Sequence, residues 1–150
     1  MADLDELYQE VIFDHSKKPR NCRKLEHPTC DAGGHNPLCG DRIHVYLELD
    51  GETIKDVAFE GKGCAISTAS ASMMTAAVKG KTRAEARALA SDFVGMVTDA
   101  PAAAELSERL GKLNVFSGVK KFPVRVKCAS LAWRTLEAAL DERQTEVSTE

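Results

Sequence analysis

No uninterrupted apolar stretch among the 150 residues approaches the length that spans a bilayer. A basic excess is missing too: 20 Lys and Arg stand against 23 Asp and Glu, for a net charge of -3. That balance lacks the electrostatic footprint that phosphate backbones require. Membrane and nucleic acid are therefore not expected partners. The opening Met1-Ala2-Asp3-Leu4-Asp5-Glu6 is acidic where a secretory signal is basic, so a cytoplasmic location is expected. There is no Walker loop, no G-x-G-x-x-G and no G-x-S-x-G, which removes the commonest nucleotide and hydrolase readings. Paired C-x-x-C knuckles are absent, and His15, His27, His35 and His44 show neither H-x-x-x-H nor H-x-x-H spacing. Each histidine reads better as solvated or structural than as a ligand. Met73-Met74 reads as core filling.

Without internal repeat or long linker, the chain reads as one domain over 1–150, with residues 1–2 and about 143–150 expected to be flexible. A domain of this size buries enough surface to fold without a disulfide or a metal. Five cysteines, at 22, 30, 39, 64 and 128, then call for another explanation. In a reducing compartment an odd set of thiols points to metal binding or thiol chemistry rather than crosslinks.

Leu4, Leu7, Tyr8, Val11 and Ile12 recur at helical spacing and predict a helix from about 3 to 16. Residues 22–40, with Pro28, Gly33-Gly34 and Asn36-Pro37, carry no period and read as loop. Ile43, Val45, Leu47 and Leu49 alternate with polar residues as in a half-buried strand. Asp50-Gly51 is a hairpin turn, and Ile54, Val57 and Phe59 supply the return strand. A tightly packed helix is expected over 65–78. Thr82-Arg83-Ala84-Glu85 is a capping box that opens a helix over about 83–97. A short helix from Pro101 to Leu110, a connector to Pro123, an extended Val124–Val126 and a closing helix after Cys128 complete the pattern.

Three cysteine segments carry the candidate chemistry. In Asn36-Pro37-Leu38-Cys39-Gly40-Asp41 a thiolate and a carboxylate flank a glycine just before a strand, and both are zinc ligands. By itself that spacing fits a turn equally well. Cys64 follows Gly61-Lys62-Gly63 at a helix start, where amide hydrogens and the helix dipole favour a thiolate; the bland alternative is a buried cysteine packed as a small apolar residue. Cys128 is placed where an extended segment passes into a helix. Cys39, Asp41, Cys64 and Cys128 together would make a tetrahedral set for zinc, which protects a thiolate without redox chemistry of its own. Cys22 and Cys30 have no partner motif and read as incidental thiols.

With these segments in hand, the chain resembles the SufU branch of the IscU-like iron–sulfur cluster assembly family, also called NifU-N-like. The resemblance runs from the first helix to about residue 142. It rests on Tyr8 to Asn21, on Asn36 to Asp41, on Gly63-Cys64-Ala65-Ile66-Ser67 through Ser72, and on Phe122-Pro123-Val124-Arg125-Val126-Lys127-Cys128 through Trp133. Lys127 stands where the scaffold IscU branch carries a histidine, and the stretch from Thr82 to Phe122 is longer than in IscU chains; both favour SufU. The resemblance implies an α+β sandwich with a small antiparallel sheet of about three strands covered by helices. It implies a zinc site of Cys39, Asp41, Cys64 and Cys128, docking of a SufS-type PLP-dependent cysteine desulfurase, and transfer of persulfide sulfur to Cys39 on the way to downstream cluster scaffold proteins. Arg125 matches a SufU arginine expected to help docking or to hold the thiolate. The alternative from the wider family is a scaffold that holds a transient iron–sulfur cluster. Whether the protein counts as an enzyme or as a co-substrate of one depends on kinetics.

Overall fold

Alternation of apolar and polar residues shapes the centre of the fold. In the computed structural model, which describes residues 2–37, 40–98, 110, 111, 113, 116, 119, 122–141 and 147–148, strands β2 (Asp41–Asp50) and β3 (Thr53–Lys62) form an antiparallel hairpin. Their register runs from Arg42 opposite Lys62 to Asp50 opposite Thr53, with one irregularity between Glu48 and Leu49. Gly51 makes the turn at φ 63°, a conformation that glycine adopts without strain. Ile43, Val45 and Leu47 of β2 and Val57 and Phe59 of β3 face the core.

Strand β1 (Cys30–Asn36) pairs antiparallel with β2, from Cys30 opposite Leu47 to Asn36 opposite Asp41. The sequence predicts a loop here, because Cys-Asp-Ala-Gly-Gly-His-Asn has no β-branched residue to announce a strand. The strand nevertheless buries Cys30, Ala32, Gly34 and Asn36 on alternate positions. Their small size is the reason: a Cβ on Gly34 would lie 2.2 Å from Thr135 Oγ1 and 3.1 Å from Leu131 Cδ1, so a helix rests directly on the strand.

Among the described residues that helix is the last of four long ones. Helices α1 (Ala2–Lys17), α2 (Ala65–Val78) and α3 (Arg83–Val97) lie at their expected places in the chain, and α4 (Pro123–Leu140) follows them. The Thr82 capping box forms in full, Glu85 N–H donating to Thr82 Oγ1 at 3.1 Å and Thr82 N–H to Glu85 Oε1 at 3.0 Å. Helix α4 starts earlier than expected: Pro123 occupies its first turn, so Val124–Val126 is helical rather than extended. Cys128 therefore sits inside the helix instead of at its start. The expected helix over 101–110 lies outside the described residues except for Leu110. Of the tail expected to be flexible, Val147–Ser148 forms a short strand, β4, parallel to Gly34 and His35, and the sheet order is β3-β2-β1-β4.

The core lies between this sheet and the helices, with Trp133 stacked on Phe93 at 4.7 Å between ring centroids and Phe116 edge-on to Phe93 at 5.5 Å. Arg83 and Arg87 of α3 both donate to the Leu140 carbonyl at the end of α4, where positive charge meets the negative end of the helix dipole. The connector after α1 turns through Asn21 at φ 58°, accepts a hydrogen bond from Phe59 N–H and lays Leu25 against Tyr46 and Ala58 on the opposite face of the sheet. Among the described residues no helix is long and apolar enough to cross a membrane.

Candidate metal centre

Three chain segments meet at the end of the sheet where β1 passes into β2. The turn between them closes when Gly40, at φ 73°, donates its N–H to the Asn36 carbonyl at 2.8 Å. Asp41 follows as the first residue of β2 and is 1% exposed. The end of β3 lies close on the start of β2 and the loop after β3 lies close on the Asp41 carboxylate, and each approach needs a glycine. A Cβ on Gly61, at φ 154°, would lie 2.1 Å from the Arg42 carbonyl oxygen, and one on Gly63 would lie 2.8 Å from Asp41 Oδ1. With neither side chain present, Cys64 N–H reaches Asp41 Oδ1 at 2.9 Å.

Cys64 is the N-cap of α2, and its Sγ accepts the Ser67 amide at 3.4 Å. The thiol is exposed, and its sulfur stands 3.8 Å from Asp41 Oδ2. Cys128 approaches from α4, is 2% exposed, and its Sγ accepts a hydrogen bond from Asn36 Nδ2 at 3.6 Å. One ligand atom from each of Asp41, Cys64 and Cys128 lies within 4.8 Å of the other two. Ligands held about 2.1–2.3 Å from a tetrahedral zinc stand about 3.5–3.8 Å apart. The Cys64–Asp41 separation already meets that value, and the Cys128 sulfur lies within 4.8 Å of both.

The donor set itself calls for a cation. A buried carboxylate is costly unless paired, and among the described residues no Lys, Arg or His forms an ion pair with Asp41. Two thiols beside it would add negative charge on deprotonation. Soft sulfur with one oxygen suits zinc better than magnesium or calcium.

Cys39, the fourth expected ligand, lies outside the described residues. Arg125 is exposed on the first turn of α4, its guanidinium 4.7 Å from the centre of the exposed Phe122 ring. Cys22 lies apart, beside Phe59 of β3, where burial and then the Glu60 carboxylate push its thiol above the usual range. Cys30 is buried in the core. His15 Nδ1 is 2.7 Å from Ser72 Oγ, and His44 Nε2 is 2.5 Å from Asp31 Oδ2. Met73 and Met74 fill the core. Sequence reasoning missed the contact of Asn36 with Cys128; its only local signal is the asparagine that opens the first motif.

A model of the NifU-like N terminal domain matches residues 7–129. The chain belongs to that family. Among its relatives is the zinc-dependent sulfurtransferase SufU of Bacillus subtilis (strain 168), 43% identical over 143 residues that cover 95% of each chain. The iron–sulfur cluster assembly scaffold protein IscU of Streptococcus pyogenes serotype M1 is 44% identical over 140 residues, 93% of this chain and 86% of that one. A solved structure, a putative iron–sulfur cluster assembly scaffold protein for the SUF system from Fervidobacterium islandicum AW-1, matches with a TM-score of 0.82 at 40% identity, covering 87% of this chain and 94% of that chain. This NifU-like N-terminal domain is thus a SufU-type member, with the α+β fold of IscU and SufU chains, as its motifs imply.

Proposed function

We propose that this SufU-type protein takes persulfide sulfur from a SufS-type, PLP-dependent cysteine desulfurase in the cytoplasm, with zinc held by Cys39, Asp41, Cys64 and Cys128, and hands it on to cluster scaffold proteins. The observation that carries the reading is the convergence of Asp41, Cys64 and Cys128 within 4.8 Å. The zinc-dependent sulfurtransferase among its relatives supports it. Cys39 is two positions from Asp41, so their Cα atoms can stand no more than about 7 Å apart. A side chain at 39 has the reach to join the set.

When bound, zinc keeps its thiolates deprotonated and shielded from oxidation without redox change. In the proposed step the Cys39 thiolate attacks the outer sulfur of the desulfurase cysteine persulfide. A new S–S bond forms on Cys39 as the partner's S–S bond breaks; the bonding pair leaves on the partner's cysteine sulfur, and the outer sulfur keeps its proton. Nothing is oxidised overall. Asp41 holds the Cys64 backbone through Oδ1 and offers Oδ2 to the metal, while Arg125, exposed one helical turn before Cys128, supplies a cation for docking or for holding the thiolate.

Alanine and sulfide release by the cognate desulfurase, measured under a reductant with and without the zinc-loaded protein, tests the reading. Saturable stimulation that disappears with Cys39→Ala, in a chain that stays folded, is the expected result; no stimulation by the wild type would overturn it. The IscU relative at 44% identity favours a second reading, a cluster scaffold. Anaerobic reconstitution that yields a stable, transferable cluster would support that reading instead. Lys127 in place of the IscU histidine weighs against it.

A further inference from the structure

We infer that Asn36 is a positioning residue of the metal centre, whose side-chain amide fixes Cys128 as the immobile ligand and leaves ligand exchange to the exposed side of the site. The inference rests on the zinc reading above and adds a residue that is not itself a ligand. Asn36 is fully buried, and its Nδ2 lies 3.6 Å from Cys128 Sγ, 92 positions away in the chain. A thiolate offers only acceptor capacity, so the amide must present its N–H and not its carbonyl oxygen. The backbone of the same residue accepts the Gly40 N–H at 2.8 Å and pairs with Asp41 across the hairpin. Asn36 thus ties the 37–40 turn, the carboxylate ligand and the α4 thiol together.

Charge gives the contact its purpose. Three thiolates and one carboxylate outweigh a divalent cation by two negative charges, and a buried N–H donor draws part of that excess off the sulfur it faces. Hydrogen bonding of this kind orients ligands and sets their donor strength. The two described sulfurs differ accordingly: Cys128 is 2% exposed and held by a buried side chain, whereas Cys64 is exposed and held by the Ser67 backbone. Cys128 is the anchor, and an incoming group reaches the metal from the Cys64 side.

The test uses the full chain loaded with cobalt(II), whose sulfur-to-metal charge-transfer absorption reports on the sulfur lone pairs. In Asn36→Ala that band should move to lower energy and cobalt should bind about 10- to 100-fold more weakly, with the far-ultraviolet circular dichroism unchanged. After metal removal, iodoacetamide labelling read peptide by peptide should modify Cys64 well before Cys128 in the wild type, and the lag of Cys128 should shrink in the variant. Asn36→Asp, which keeps the shape but loses the donor, should show the same shift and a larger loss of affinity. A loaded variant with an unshifted band and an unchanged labelling order would overturn the inference alone. So would the failure of both variants to fold, which would make Asn36 a folding residue. A wild-type chain that takes up neither cobalt nor zinc would remove the zinc reading itself.

Discussion

Gly63→Ala isolates the link between the loop after β3 and the carboxylate of Asp41. The new Cβ would stand 2.8 Å from Asp41 Oδ1 and 3.1 Å from both Asp41 Cγ and Ser67 Oγ. Carbon and oxygen need several tenths of an ångström more than the shortest of these contacts allows. Asp41 has nowhere to retreat, because it is 1% exposed and opens a strand paired on both sides. The bond from Cys64 N–H to Oδ1, at 2.9 Å, must therefore lengthen or break. A hydrogen bond to a charged group is worth about 1.5–3 kcal/mol, and that is the loss of stability expected for the metal-free chain in urea unfolding. Because Asp41 and Cys64 move apart, zinc affinity measured by chelator competition should fall about 10- to 100-fold, the range seen when groups that orient metal ligands are disturbed. Gly51→Ala is the control: φ is 63° and nothing lies within 4 Å of its Cβ position, so backbone strain alone should cost about 1 kcal/mol without touching zinc affinity. Wild-type zinc affinity and stability in Gly63→Ala would refute the reasoning.

Gly34→Ala places a Cβ 2.2 Å from Thr135 Oγ1 and should destabilise the chain by about 1–3 kcal/mol in urea unfolding; adding Thr135→Ala should recover part of that, and no recovery would argue against the contact as the cause. The Tyr46 hydroxyl is pushed up to about 12 by burial and then by its hydrogen bond to Glu60, at 2.6 Å. Because the folded value is raised, the stabilisation is present in full below the unfolded value near pH 10 and is lost as pH rises toward 12. Unfolding midpoints across that window should fall more steeply for the wild type than for Tyr46→Phe, and parallel profiles would contradict the assignment.

Helices α1 to α3 and the β2–β3 hairpin were legible because their signals are local: a capping box at Thr82, alternation through Ile43, Val45 and Leu47, a glycine turn at Gly51. The meeting of Asp41, Cys64 and Cys128 was legible through the family resemblance of the motifs, since spacing alone left each open to a plainer reading. Strand β1 escaped because its residues are selected by what lies on top of them. Gly34 is small because α4 touches it, and α4 follows about ninety residues later. The start of α4 escaped for a different reason: Val124 and Val126 favour extended backbone locally, while Pro123 at the first turn and burial of the face beyond Cys128 override that preference. The Asn36–Cys128 contact spans 92 positions, and the asparagine that opens the first motif is its only local trace.

The segment hardest to read from sequence is also the one on which the site depends. Helix α4 carries Cys128, and its depth against the sheet is set where Leu131 and Thr135 rest on Gly34. Residues 128, 131 and 135 recur at the three- and four-residue spacing that puts them on one helical face, so that face meets β1 at Gly34 and again at Asn36, two positions on. A side chain at 34 would lift the helix and carry Cys128 away from Asn36 Nδ2 and from Asp41. Stability and ligand spacing are therefore not independent in this fold: the Gly34→Ala chain should bind zinc more weakly than its loss of stability alone explains. The Cys64 side, held through Gly63 and the Ser67 amide, is anchored separately on α2. On the proposed zinc reading, two anchorages on different helices would let one side of the site stay fixed while the other exchanges a ligand.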